Sequence, residues 1–481
     1  MYNVPQYIDN NKVFIVQRSE IEYRLDPTVY KTHFKFVSKK YRNVKLSEIA
    51  WIDPYCSIEN QKEVSFIPMD AIDSENGTIA YMGTKKVNET KGYTKFREGD
   101  ILWAKITPCM QNGKSAIARN LLNGYGCGST EYFVIRPKEN YVILQEYLLF
   151  LLRDEKILKS ATDYFGGSAG QQRVSLYFLQ TFNVPLPSFN QQKELCALLQ
   201  NAHQIKYKKE IEAQQLLDSI DAYILNELGI TLPEAKNELK DRIFYISYRE
   251  LIDKRIDSKK YSLYTKQLYS SISHSNYPCF PLSHYISSAC SGDWGSDGDL
   301  VEVPQGYVKC LTLRATEIDK MYNLNIQSDK AKFRLIKTEK YSCLKLGIGD
   351  IIIEKSGGSE DQPVGRVAII DNVSHDGFPL CFSNFLMKIS TKNIDPDYLY
   401  FFLKTMYNIG ITESMQSQTN GIRNLIVKEY MCQTIVEPPI TKQQEIANHI
   451  HTIRQKAKLL QEEGKTILEN AKKEVEQMII G

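Results

Sequence analysis

At 481 residues, 42% hydrophobic and 24% charged, the chain has the make-up of an ordinary folded protein of two to four domains. A net charge of +3 excludes a general cationic coat, so any nucleic-acid contact must be a local patch. No segment is long and apolar enough to span a bilayer and the opening MYNVPQYIDNNK is not a signal peptide, so a cytoplasmic protein is expected, and its 10 Cys and 7 His, with no CxxC and no clustering, argue against a zinc site or a disulfide framework and read as small core residues.

In chain order, VFIVQRSEI (residues 13–21) and RLDPTVY (24–30) come first. From about Lys45 to Arg136, short β-branched and aromatic runs alternate with turn signals at residues 76–78, 97–100 and 112–114, which predicts a mostly β globule. Residues 143–158 then place apolar side chains at helical spacing and predict a short helix packed on the sheet. A glycine-rich turn, GGSAGQQRV (166–174), leads through a strand and prolines into a long helix starting PSFNQQKEL, where Asn190 can cap and Glu194 sits in the first turn. Its apolar stripe of Leu195, Leu199, Ala202, Ala213, Leu216, Ile220 and Tyr223 is interrupted by Lys206 and Lys209.

The chain then repeats itself. IFYISYREL (243–251) answers 13–21, RIDSKKY (255–261) answers RLDPTVY, and PLSHYI (281–286) answers KLSEIA (45–50). IGDIIIEK (348–355) answers EGDILWAK (98–105), DPDYLYFFLKTMYN (395–408) answers the first short helix, and SQTNGIRNLIV (417–427) answers the first glycine turn. The offset grows from 230 at Glu20 and Glu250 to 251 at Glu194 and Glu445, mostly between Leu282 and Asp350, so SGDWGSDGDLVE (291–302) is expected to be a loop. The second copy also ends in a long helix, PPITKQQEI onward, with Thr441 as a cap and Glu445 in the first turn. Ile446, Ile450, Ile453, Ala457, Leu460, Gly464, Ile467, Ala471 and Met478 form a heptad stripe broken only by Glu474. Each helix could lie on its own globule. Equal stripes over roughly 38 residues, on the order of 57 Å, instead favour the two helices pairing with each other as a stiff spacer.

The order RLDP, KLSEIA, GDILWAK, GSTEYFVIRP (128–137) and GSAGQQRVSLYFLQTFNVPLPSFNQQKEL, repeated as RIDS, PLSHYI, GDIIIEKSGG and NGIRNLIVKEYMCQTIVEPPITKQQEI, resembles the specificity subunit of type I restriction-modification systems over essentially the whole chain. The resemblance implies an α+β fold of two similar mostly-β target-recognition domains, each followed by a long helix, with the two helices pairing as an antiparallel coiled coil. The expected divisions are residues 1–188 and 230–438 for the domains, and 189–229 and 439–481 for the helices. Each domain would read one half of a bipartite, asymmetric site in double-stranded DNA. The helices would set the spacer and dock two methyltransferase subunits, and a restriction and translocase subunit would join for cleavage. The two copies differ where SNFLMKIS (383–390) stands for STEYFVIRP and TNG for GSAG, so identical DNA contacts are not expected.

Sequence readout needs polar and cationic side chains on short loops reaching a groove. In the first domain the candidates are Lys105, Lys114, Gln171, Gln172 and Arg173; in the second they are Lys355, Arg366, Gln418, Asn420 and Arg423. Gln and Asn suit adenine and Arg suits guanine, each through two hydrogen bonds. Lys105 and Lys355 also end strand-like runs and could simply leave the sheet for water, and Gly166, Gly167, Gly170 and Gly421 could serve only to turn the chain.

Catalytic motifs fail. VEPPI (436–440) lacks the amide or acid and the aromatic that a methyltransferase needs to hold a flipped adenine. YFGGSAG follows a helix, not the strand that a nucleotide loop requires, and Glu354 and Lys355 of DIIIEK point to opposite faces of a strand. No catalytic, cofactor or metal site is therefore assigned. The alternatives are a specificity component of a related restriction system with a fused methyltransferase-nuclease, or a nuclease with an unrecognised site.

Overall fold

The computed structural model describes residues 37–58, 60–167, 171–234, 243–251, 257–298, 302–319, 324–326, 332–359, 362–419 and 421–481, with residues 15, 16 and 18. The repeat matches at 13–21 and 24–30, and the RI of RIDSKKY, lie outside the described residues except at isolated positions. The chain forms two compact units, residues 1–210 with 461–481 and residues 211–460.

In the first unit, one sheet runs Ala50–Ile52, Tyr132–Pro137, Ile101–Ala104, Ser115–Ile117, every neighbour antiparallel. The run ILWA in the third of these strands is buried on both faces because alternate residues serve two cores. Ile101 and Trp103, with Phe133 and Ile135, face the helices; Leu102, with Ala116, Tyr132 and Val134, faces a second sheet. That second sheet runs Gly83–Lys86, Glu63–Ile67, Tyr125–Gly128, Thr94–Arg97, with its two middle strands parallel. The Trp103 indole N–H donates to the Leu152 carbonyl at 3.0 Å, so the largest buried side chain leaves no orphan donor.

The helix expected over 143–158 is two helices, Gln145–Leu152 and Glu155–Ala161. Two side chains make the break. Arg153 donates to the carbonyls of Gly113 and Ser74 at 2.7 and 2.8 Å, and the Asp154 carboxylate caps the second helix through the Lys156 N–H at 2.9 Å.

The second unit repeats the plan. Ile286–Ser291, Leu386–Thr391, Ile351–Glu354 and Val367–Ile369 form the equivalent sheet in the same order, again with alternate residues (Ile351 and Ile353; Ile352) feeding two cores. Its companion sheet has five strands, with Tyr307–Leu313 and Phe378–Phe382 parallel at the centre. The stretch expected as a loop at 291–302 is part of the difference: Ser291 ends a strand, and Ser296–Asp297 adds an edge strand to Lys332–Lys337. A Cβ on Gly292 would stand 2.1 Å from the Ser383 carbonyl oxygen, so the inserted chain lies close against its neighbour.

The long helices are Phe189–Leu228 and Ile440–Ile480. In the first unit Lys206 packs against Gly464 while Lys209 pairs with Glu463 at 2.7 Å. In the second unit the Tyr223 ring lies 4.3 Å from that of His449 while Glu227 pairs with Lys442 at 2.6 Å. Rising numbers on one helix meet falling numbers on the other, so the pairing is antiparallel. Each helix also packs on a globule: Leu195, Leu199 and Ala202 share a core with Leu468, Ala471, Val475 and Ile479, and Ile220, Ile224 and Leu228 share one with Ile446 and Ile450.

Several helix details differ from expectation. Met478 is 39% exposed while Val475 and Ile479 are buried, because beyond Ala471 the stripe steps by four onto the globule instead of continuing the heptad. Lys206 does not break the seam. It is buried, bonded to Glu75 and Glu210, and accommodated because any Cβ on Gly464 would come within 3.3 Å of the Lys206 Cα. The first helix is capped by Ser188 in a reciprocal exchange with Gln191, not by Asn190, and Thr441 lies inside the second helix. Neither Glu194 nor Glu445 is in a first turn. Of the cysteines, Cys56, Cys127, Cys310 and Cys381 are buried as expected, but Cys290 and Cys343 form a disulfide and Cys432 is exposed.

Lys404, on the helix Pro396–Asn408, is 8% exposed; burial first, and Arg454 second, pull its pKa down to about 8. An unfolded lysine keeps its proton to about pH 10.4, so the unfolded chain binds more protons between pH 8 and 10.4 and stability rises with pH across that window. Lys404→Met is expected to raise the stability of the second unit by about 2 kcal/mol at pH 7, a gain that fades as pH approaches 10. Melting at pH 7 and pH 9.5 reads it; an equal gain at both would show that lysine charging is not the cause.

Candidate nucleic-acid interface

The two copies build the same backbone frame where the middle strand of the helix-facing sheet ends. In the first, the Lys105 N–H donates to the Glu131 carbonyl at 2.9 Å and the Lys105 carbonyl accepts from the Val174 N–H at 2.9 Å. In the second, the Lys355 N–H donates to the Phe385 carbonyl at 2.9 Å and the Lys355 carbonyl accepts from the Leu425 N–H at 2.8 Å. Strand register agrees: Ile106 bridges Arg173 as Ser356 pairs with Asn424. Glu131 therefore corresponds to Phe385, Gln172 to Arg423 and Arg173 to Asn424. One frame carries two unlike sets of side chains.

In the first domain the frame gathers Lys105, Gln171, Gln172 and Arg173. Phe165–Gly166 and Arg173–Val174 pair as a short hairpin, and the Gln172 carbonyl accepts from the Thr107 N–H at 3.0 Å, tying the turn to the sheet. Gln171 is exposed, and the Lys105 Nζ stands 5.1 Å from the Phe133 ring centre. Arg173 makes two parallel bonds to Glu131, Nε to Oε2 at 2.8 Å and Nη2 to Oε1 at 2.7 Å. Those bonds hold the Glu131 carboxyl below the usual range and raise the guanidinium. Gly167 adopts φ 108°, as its turn requires, whereas Gly166 sits in the strand and Gly170 lies outside the described residues.

Lys114 stands apart from this group. Its Nζ donates to the Met69 carbonyl at 2.9 Å and ties two loops of the globule together.

In the second domain the strands Gln416–Thr419 and Ile422–Leu425 form a longer hairpin in which Gln418 faces Arg423, and Gly421 turns the chain at φ 79°. Gln418 and Arg423 line an open depression with Asp257, Lys259, Glu413, Gln416 and Ser417. Lys355 reaches the Ser291 hydroxyl at 3.1 Å. Asn420 lies outside the described residues.

Arg366 is placed as a core residue, contrary to a surface-reading role. It is 9% exposed, with Nε and Nη2 on the Glu354 carboxylate at 2.8 and 3.0 Å and further bonds to the carbonyls of Ile318 and Ala315 at 3.0 Å each. Burial pushes the Glu354 carboxyl up while Arg366 opposes the shift. A buried acid needs a buried base, so the guanidinium is committed inward.

Reading along one copy missed Glu131, Phe385 and Asn424. They become visible only when the copies are aligned through the strand ends, since Glu131 and Phe385 immediately precede the equivalent strands Tyr132–Pro137 and Leu386–Thr391. Trp294, whose ring carries the Arg334 guanidinium at 4.7 Å, is another aromatic and cationic pair, in the stretch inserted in the second copy. Among the described residues no helix is long and apolar enough to cross a membrane.

The family model of the type I restriction modification DNA specificity domain matches residues 38–220 and 298–469, well over half of the chain. Two Escherichia coli proteins are similar: the type I restriction enzyme EcoAI specificity subunit, 36% identical over 196 residues (40% of this chain, 33% of that protein), and the EcoEI specificity subunit, 34% identical over 198 residues (40% and 33%). The matched part of the chain thus spans about a third of the length of these relatives. A chain solved in work on complex assembly and conformational transition of the type I R-M system shares the fold, with a TM-score of 0.54 and 14% identity over 91% of this chain and 96% of that one. Two matches to one family model, on two units that repeat one frame, establish that the chain belongs to the type I restriction modification DNA specificity domain family.

Proposed function

We propose that the chain is the DNA-reading subunit of a type I restriction-modification assembly, with no catalytic site of its own. Residues 1–188 and 230–438 are its two reading domains, each taking one half of a bipartite, asymmetric site in double-stranded DNA. The helices 189–229 and 439–481 set the spacer and carry two methyltransferase subunits, and a restriction and translocase subunit joins that assembly. The observation that supports this most is the shared frame at Lys105 and Lys355: the backbone is repeated while the side chains it presents are not. A pair of readers that must find different sequences with one architecture requires that combination.

Of the candidate contacts, Lys105, Gln171, Gln172 and Arg173 in one domain and Lys355, Gln418, Asn420 and Arg423 in the other form the reading sets, with the lysines on phosphate and the amides and guanidinium groups on base edges. Lys114 and Arg366 support the globules instead.

Mapping modified adenines in cells that carry this chain with the methyltransferase of its own system is expected to return two short unlike half-sites separated by a spacer of fixed length. A continuous motif, or modification that persists after the chain is deleted, would contradict the proposal. The purified chain with DNA, magnesium and a methyl donor is expected neither to cut nor to methylate, which separates it from a nuclease or a fused enzyme.

A further inference from the structure

We propose that the first reading domain recognises a guanine through Arg173, that Glu131 is the residue positioning it, and that the second domain has no guanine reader at the corresponding place. The assignment rests on the reading of the chain as a DNA-specificity subunit and adds to it one base and one supporting side chain.

A guanidinium carries five N–H donors in a rigid planar fork. On Arg173, the Nε donor and one on Nη2 go to the two oxygens of Glu131, and one on Nη1 goes to the Gln171 carbonyl at 3.2 Å. Among the described residues, that leaves one donor on Nη1 and one on Nη2 for the tip of the fork. Two parallel donors match the N7 and O6 acceptors on the major-groove edge of guanine. Adenine offers an acceptor and a donor there, and cytosine a donor, so each sets an N–H against an N–H. Glu131 occupies the side edge of the fork, fixes the plane of the tip and removes rotamer freedom that binding would otherwise have to freeze. The tip is reachable, since the Arg173 side chain is 43% exposed and that of Glu131 22%.

The second copy is an internal control for the alternative that the pair merely holds the frame together. Phe385 and Asn424 occupy the positions of Glu131 and Arg173, and the backbone bonds around Lys355 form without any such ion pair. The frame does not need it. An ion pair as open to water as this one also adds little to folding. Its geometry is thus free to serve recognition, and the second domain, with Arg423 one residue earlier and Gln418 opposite, presents different chemistry.

Modified-adenine maps from cells carrying the chain and its methyltransferase subunits test this with the wild type, Arg173→Gln and Glu131→Gln. The wild-type motif is expected to hold an invariant guanine in one half. Arg173→Gln should admit adenine at that single position, with discrimination against it falling roughly tenfold or more; Glu131→Gln, which retains one acceptor, should relax the same position less. The other half-site should be unchanged in both variants, which reports that the chain still folds and assembles. An unchanged guanine in both variants overturns the assignment, and so does loss of all modification in both, since a fold-holding role would then suffice. A wild-type map with no bipartite motif overturns the specificity-subunit reading itself, a different result from a bipartite motif indifferent to Arg173.

Discussion

Arg366→Ala should unfold the second unit far more readily than it weakens any contact with DNA, costing roughly 3–5 kcal/mol. The substitution removes both bonds to the Glu354 carboxylate and leaves that acid, 2% exposed, without its counter-charge. It also removes the bonds that Arg366 donates to the carbonyls of Ile318 and Ala315. Denaturant melts of the purified chain read the cost directly. The double change Glu354→Leu with Arg366→Met should recover most of it, because apolar groups of similar volume carry no desolvation cost. A single variant that melts like the wild type while losing the second half-site would restore Arg366 to the reading surface.

The paired substitution Lys355→Ala with Arg423→Ala should do the reverse. Neither side chain is buried, so little stability should be lost, within about 0.5 kcal/mol per position. DNA affinity should fall by about tenfold or more, and the dependence of log affinity on log salt should flatten by about one unit for the lost phosphate contact. Anisotropy titrations of the assembled complex on a duplex carrying the mapped site, at several salt concentrations, measure both. Recognition of the first half-site should stay intact. An unaltered affinity and salt slope would show that the hairpin at residues 416–425 faces away from the duplex.

The contrast between these two arginines marks how far the site was legible in sequence. Arg366 and Arg423 are both cations near strand-like runs of the second copy, and nothing local separates them. What separates them is Glu354, twelve residues before Arg366, whose neighbouring positions fill two cores and leave its carboxylate no route to water. The same holds for Lys206: as a letter in a heptad it interrupts the stripe, yet Gly464 on the facing helix and Glu75 in a distant turn make room and charge for it.

The duplication, the strand-like runs that end at Lys105 and Lys355, the short helices after each sheet and the two long helices with their apolar stripes are all legible in the sequence. These depend on periodicity and on local turn and helix chemistry, which neighbouring residues in the chain express directly. The tertiary structure alone decided that Glu131 holds Arg173, that Lys114 ties loops, that Ser296–Asp297 joins a sheet and that Val475 and Ile479 replace Met478 in the core. Each of those is a meeting of segments far apart in the chain, where burial and the demand that every buried polar group find a partner choose among residues that look alike in sequence.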